Sequence, residues 1–137
     1  NNRPDAYRGE RRPAMRQLRF GKGAQKLVFS GKKKITFRTY KEDGPDHYGF
    51  LIADTVEGVF ADGMSVLLRI MATPTIKHFG LLTGQELADN GYHDLDEAYC
   101  NMKVIYPGFT MEDTIVIIRF EVLKYEGVPV VQYNEER

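Results

Sequence analysis

The chain has 137 residues, 42% of them apolar and 28% charged, a length and composition that suit one compact domain and leave no room for a second full one. A single cysteine, Cys100, excludes an intrachain disulfide. Net charge is zero, yet residues 1–41 hold 13 Lys/Arg against Asp5 and Glu10, a balance of +11, whereas residues 42–137 hold 6 Lys/Arg against 17 Asp/Glu, a balance of −11.

Clustered cations attract a phosphate backbone through coulombic steering and counterion release, so a local basic region can bind nucleic acid in a neutral molecule. Intramolecular neutralisation of the acidic remainder is the competing explanation. His47, His78 and His93 are far apart in sequence and have no Cys or His partner at ligand spacing, so neither a metal nor any other cofactor is expected. The apolar runs 64–71 and 114–120 contain Arg69 and Arg119 and fall well short of a membrane span, and the N-terminus lacks an apolar signal core. These features and the lone cysteine point to a reducing, cytoplasmic setting away from membranes.

In chain order, residues 1–14 carry Arg3, Arg8, Arg11 and Arg12 with two prolines and little to bury, which predicts a flexible basic arm ahead of a single domain over residues 15–137. Met15 is a candidate initiator, which would make that arm an addition to the domain. The run Ala24 to Ser30 reads as a short helix closed by Gly31, a residue free to take positive φ. A strand follows in Lys34-Ile35-Thr36-Phe37-Arg38, where a period of two sets Ile35 and Phe37 on a core face and Lys34, Thr36 and Arg38 on the other. Gly49 to Ala53 and Met64 to Thr73 are predicted strands, the latter entered through an Asp62-Gly63 turn. His78 reads as an ordinary strand residue.

Thr83-Gly84-Gln85-Glu86 has the spacing of a capping box, and Gly91 ends the helix it begins. A second helix starts near Asp94 with Leu95, Ala98, Tyr99, Met102, Ile105 and Tyr106 at helical spacing, and Pro107-Gly108 stops it. Thr114 to Lys124 is a long β-branched strand, with Val128 to Tyr133 as its hairpin partner. No regular alternation of strand and helix is present, so a mixed barrel decorated by helices is expected in place of a doubly wound sheet.

The segment Gly31-Lys32-Lys33-Lys34-Ile35-Thr36-Phe37-Arg38 resembles the signature of the ASCH family, in which a helix-ending Gly-x-Lys leads into a strand bearing Thr or Glu and then Arg. The order of elements agrees from residue 17 to 124: a helix from Leu82-Thr83 to Asn90-Gly91-Tyr92, a second into Ile105-Tyr106-Pro107-Gly108, and a closing strand. The resemblance implies an α+β, PUA-like mixed β-barrel of about five to six strands with two to three capping helices, and an association with RNA and modified nucleosides. The motif is similar to that of small bacterial amidohydrolases that convert N4-acetylcytidine to cytidine, through a lysine, a threonine and a glutamate at the end of the first capping helix. Lys33 and Thr36 match the first two. Asn90 stands at the glutamate position, which leaves Asp89 or Glu86 to supply a carboxylate.

Considered as chemistry, crowding among Lys32, Lys33, Lys34 and Arg38 together with partial burial would lower one ammonium pKa, letting that amine deprotonate the Thr36 hydroxyl or a water. Arg38 would hold an oxyanion or phosphate, Lys32, Lys34 and Asn90 would contact ligand, and Tyr92, before Tyr40 or Tyr48, would stack on a base. Three readings compete. The first is an RNA- or nucleotide-binding domain; the second is an amidohydrolase on acylated cytidine; the third is a protein-interaction domain with no nucleic-acid ligand and no cleft at Lys33. The expected partner is RNA or a modified nucleoside or nucleotide, bound by a monomer or weak dimer.

Overall fold

The computed structural model describes residues 16–40 and 49–123. The basic arm expected over residues 1–14, His47, Tyr48 and the strand expected over Val128 to Tyr133 lie outside these residues. The elements are β1 (Gln17–Arg19), α1 (Ala24–Phe29), β2 (Ile35–Thr39), β3 (Thr55–Val59), β4 (Ser65–Ile70), β5 (Thr75–His78), a 3-10 turn (Phe79–Leu81), α2 (Gly84–Asp89), α3 (Leu95–Ile105) and β6 (Thr114–Val122).

One six-stranded mixed sheet runs in the order β1-β3-β4-β6-β2, with β5 also paired to β6. Among the described residues only the β1–β3 pairing is parallel. The sheet curls into a half-barrel, and helices close it. The β6 strand holds this arrangement together. Its first half lies between β2, through Phe37 opposite Ile117, and β5, through Ile76 opposite Val116. Its end pairs with β4, through Ile70 opposite Phe120.

Side chains alternate across a strand, and β6 is buried on both faces, so its sequence reads as a continuous apolar run. Val116, Ile118 and Phe120 join Leu18, Phe20, Phe60 and Leu68 in one core, inside the curl. Ile115 and Ile117 join Ile35, Phe37, Phe79, Leu87, Met102 and Phe109 in a second core, beneath α2 and α3. Phe79, fully buried, meets Phe37 and Phe109 edge-on, with ring centroids 6.4 Å and 5.0 Å away. That geometry aligns the positive ring edge with the negative face.

Local signals account for most boundaries. Gly31 has φ 83° and Gly91 has φ 87°, the left-handed conformation that ends α1 and α2. Thr83 caps α2 with the reciprocal bonds of a capping box, and the Asp94 side chain accepts from the Glu97 amide at the start of α3. The expected strand over Gly49 to Ala53 is not formed. There Asp54 accepts the Leu51 amide at 2.8 Å, Ala53 takes φ 76°, and Leu51 and Ile52 are exposed, so the segment is a turn and the strand begins at Thr55. Apolar residues in this stretch suggested a wall; the turn that Leu51 and Asp54 close by reciprocal bonds decided otherwise. Among the described residues no helix is long and apolar enough to cross a membrane.

Truncating the centre of the second core, Phe79→Ala, should lower unfolding free energy by about 3–5 kcal/mol in denaturant titration. Gly91→Ala should cost about 1–2 kcal/mol, because its φ is left-handed and the new Cβ would lie 3.2 Å from Leu27. Gly84→Ala, where the added Cβ meets nothing within 4 Å, is the control.

Candidate functional site

Backbone pairing places the motif before any side chain acts. The Lys33 amide donates to the Leu27 carbonyl at 2.9 Å, tying it to the end of α1. The Lys34 amide donates to the Asp89 carbonyl at 2.6 Å, and the Lys34 carbonyl accepts from Phe120 at 3.0 Å. The entry to β2 is thus pinned between the end of α2 and β6. The Asp89 carboxylate reinforces the pin, accepting from Arg119 and Gln85, each at 2.9 Å. The next residue, Asn90, is thereby set against Lys33, whose Nζ donates to Asn90 Oδ1.

A cleft of about 650 Å³ opens beside this pair, a volume suited to a nucleotide-sized ligand. Lys33, Thr36, Arg38, Asn90 and Tyr92 all line it. Thr36 and Arg38 lie opposite Ile118 and Val116 of β6, so they occupy the inner face of the curl, and the Arg38 guanidinium sits 5.5 Å from the centre of the Phe20 ring. Tyr92 stacks on Phe37 at 6.3 Å and bonds to Asn101. Burial and the charge of Glu97 raise the Tyr92 pKa, against the lowering effect of the Asn101 bond, and keep the ring a phenol.

Lys33 is the electrostatic anomaly of the cleft. Burial, and then the nearby charge of Arg38, lower its pKa from 10.5 to about 7. Its amine therefore exchanges a proton near neutrality while bonded to Asn90, in a cleft that Thr36 also lines.

Other residues expected at the site lie elsewhere. Lys32, Lys34 and Tyr40 are exposed and are not among the lining residues. Asp89 is committed to Arg119 and Gln85. Burial raises its pKa, but bonds from Arg119 and Gln85 and the charges of Arg119 and Lys34 bring it below the usual carboxylate range. Glu86 closes its own capping box and meets Lys77 at 2.8 Å. Burial works against ionisation there too, and bonds from Lys77 and Thr83 outweigh it. Neither carboxylate stands where Asn90 does. Among the described residues no group of three or more His, Cys, Asp or Glu could hold a metal.

The cleft also contains residues that the motif did not indicate: Arg19 and Lys22 near its mouth, and Glu97 on α3. Glu97 accepts the His93 amide at 2.6 Å and approaches His93 Nδ1 at 3.2 Å. Its Asp94-x-x-Glu97 spacing marked a helix start, but only the packing of α3 against the sheet brings it to the cleft. Arg19, Lys22, Lys33 and Arg38 give the lining a surplus of cations over Glu97.

Below pH 7 Lys33 is protonated in both folded and unfolded chains, and folding bears the full cost of burying an ammonium. Between about pH 7 and 10.5 only the unfolded chain keeps the proton, so this cost is relieved as pH rises. Lys33→Met should therefore stabilise the protein relative to wild type at pH 6, by roughly 3–5 kcal/mol more than at pH 10. Paired denaturant titrations at the two pH values measure the difference.

No family model and no curated protein matches the chain. Solved structures do. Protein EF3133 of Enterococcus faecalis V583, of family-model DUF984, aligns with a TM-score of 0.64 at 14% identity, over 85% of this chain and 86% of its own. An ASCH domain from Lactobacillus crispatus JV V101 aligns at 0.56 and 16% identity, over 72% and 69%. The hypothetical protein PH0355 aligns at 0.57 and 17%, over 78% and 99%. At these identities the likeness is one of architecture. The curled mixed sheet and its capping helices give this chain the α+β, PUA-like fold of an ASCH domain.

Proposed function

We propose that the cleft binds a nucleotide, free or within RNA. The observation that carries this is the convergence of Lys33, Thr36, Arg38, Asn90 and Tyr92 on one cleft with Arg19 and Lys22 beside them. Cations at the mouth suit a phosphate; an inner wall of amine, hydroxyl and amide suits the polar edge of a base. Tyr92, in the same lining, offers a ring for stacking. The ASCH-type fold agrees with this reading without naming a ligand. A protein-interaction role free of nucleic acid carried the expectation that no cleft would exist at Lys33, and the cleft removes that support. A cytoplasmic setting belongs to the same proposal.

One observation favours a second, enzymatic reading. Lys33, its pKa lowered to about 7, lines the same cleft as Thr36, so a neutral amine can take a proton from the Thr36 hydroxyl or from a water as that oxygen adds to an acyl carbon, and return the proton to the departing amine. Arg38, which lines the same cleft, would hold the oxyanion. Asn90 offers no carboxylate, and Glu97 is the carboxylate among the lining residues.

Titrating a short single-stranded RNA by fluorescence anisotropy should give log affinity falling linearly with log salt, with a slope near −2 if Arg19, Lys22 and Arg38 each neutralise a phosphate at about 0.7 per contact. Lys22→Ala should reduce that slope by roughly 0.7; absence of binding at low salt overturns the nucleotide reading. For the second reading, N4-acetylcytidine should yield cytidine with kcat/KM rising through pH 7, and Lys33→Ala should abolish the yield. No cytidine from the wild-type protein removes the enzyme and leaves the binding proposal standing.

A further inference from the structure

Thr36, Lys33 and Asn90 form the inner wall of the cleft, at 5%, 9% and 3% exposure. Their hydrogen bonds determine what that wall offers. An ammonium has donors and no acceptor, so when Asn90 meets Lys33 it must turn its oxygen toward the amine. The amide nitrogen then faces away. Nδ2 makes no hydrogen bond among the described residues, and it is not sealed from solvent either. With Asn90 lining the cleft, its N–H pair is presented there. The Thr36 hydroxyl is in the same position, unbonded among the described residues and open to the cleft.

A carboxylate at position 90 would produce the opposite wall. One oxygen would meet Lys33, and the other would offer lone pairs to the cleft. Asparagine, locked by Lys33, converts that outer position from acceptor to donor. The carboxylate among the lining residues, Glu97, belongs to α3 and already accepts from the His93 amide.

Resting on the nucleotide reading above, we infer that Lys33, Thr36 and Asn90 select a base by a carbonyl edge, with adjacent acceptors such as O6 and N7 of a 6-oxopurine, and disfavour an exocyclic amino group at the same place. An amino group would set donor against donor in a buried wall and leave both unpaired. A carbonyl oxygen accepts from Asn90 Nδ2, with the ring nitrogen taking the Lys33 or Thr36 donor. This is the acceptor pattern by which lysine and arginine recognise the O6/N7 edge in nucleic acids.

Inosine and adenosine 5′-monophosphates share sugar, phosphate and N7, and at position 6 they present a carbonyl or an amino group. Isothermal titration at pH 6, where Lys33 is an ammonium, should show the inosine nucleotide bound about tenfold more tightly. Asn90→Asp is nearly isosteric, keeps the contact to Lys33 and replaces the outward N–H pair by an oxygen; it should erase or reverse that preference. Equal affinity of the wild-type protein for the two, or tighter adenosine binding, overturns the inference while the nucleotide reading stands. An undiminished inosine preference in a folded Asn90→Asp protein also overturns it. If neither nucleotide binds, the underlying reading fails and this inference falls with it.

Discussion

Strand β6 has to satisfy two cores at once, and the rest of the molecule is arranged around that demand. Ile115 and Ile117 point to the helices, while Val116, Ile118 and Phe120 point into the curl. A strand buried on both faces must also satisfy its backbone on both edges, and β2, β5 and β4 together do so. A one-residue slip would exchange the two sets of side chains, so register is tightly specified. Because β2 is registered against β6, the same constraint that packs Phe37 beside Ile117 turns Thr36 and Arg38 toward the inner face.

The functional wall is built on that frame by polar contacts of a different kind. Arg119, on the one partly exposed position between Ile118 and Phe120, reaches the carboxylate at the end of α2. Asp89 is thus a clamp: its carbonyl holds the Lys34 amide and its carboxylate holds Arg119. The outcome is a fixed separation between Lys33, in the turn after α1, and Asn90, at the C-terminal end of α2. Side chains preorganised in this way meet a ligand without first losing much rotamer freedom.

Electrostatics and architecture then point the same way. Burial makes Lys33 a weak holder of its proton, Arg38 adds to the effect, and the cleft keeps both beside an uncharged hydroxyl and amide. Under the proposed reading, the cations of the lining would meet a phosphate and the buried donors Lys33, Thr36 and Asn90 a base edge. Where an acid at position 90 would have neutralised Lys33, asparagine leaves the wall cationic or neutral. That difference separates a site suited to holding acceptor groups from one with a built-in carboxylate for proton transfer.

Much of this was legible along the chain because it depends on neighbours in sequence. Capping at Thr83 and Asp94, left-handed turns at Gly31 and Gly91, the period of two through Ile35 and Phe37, and the apolar run of β6 are short-range signals that packing left in place. The same holds for the motif: Lys33, Thr36 and Arg38 lie within one turn and one strand, so their common location followed from spacing. Tertiary structure alone decided which of the adjacent lysines is buried, since that depends on α2 closing over Lys33 while Lys32 and Lys34 stay in solvent. It also assigned Asp89 to Arg119 and Glu86 to Lys77, and brought Arg19 and Glu97 to the cleft. Local periodicity is written in consecutive residues. Desolvation, ion pairing and the lining of a cavity arise between residues tens of positions apart, and they exist only once the chain has closed on itself.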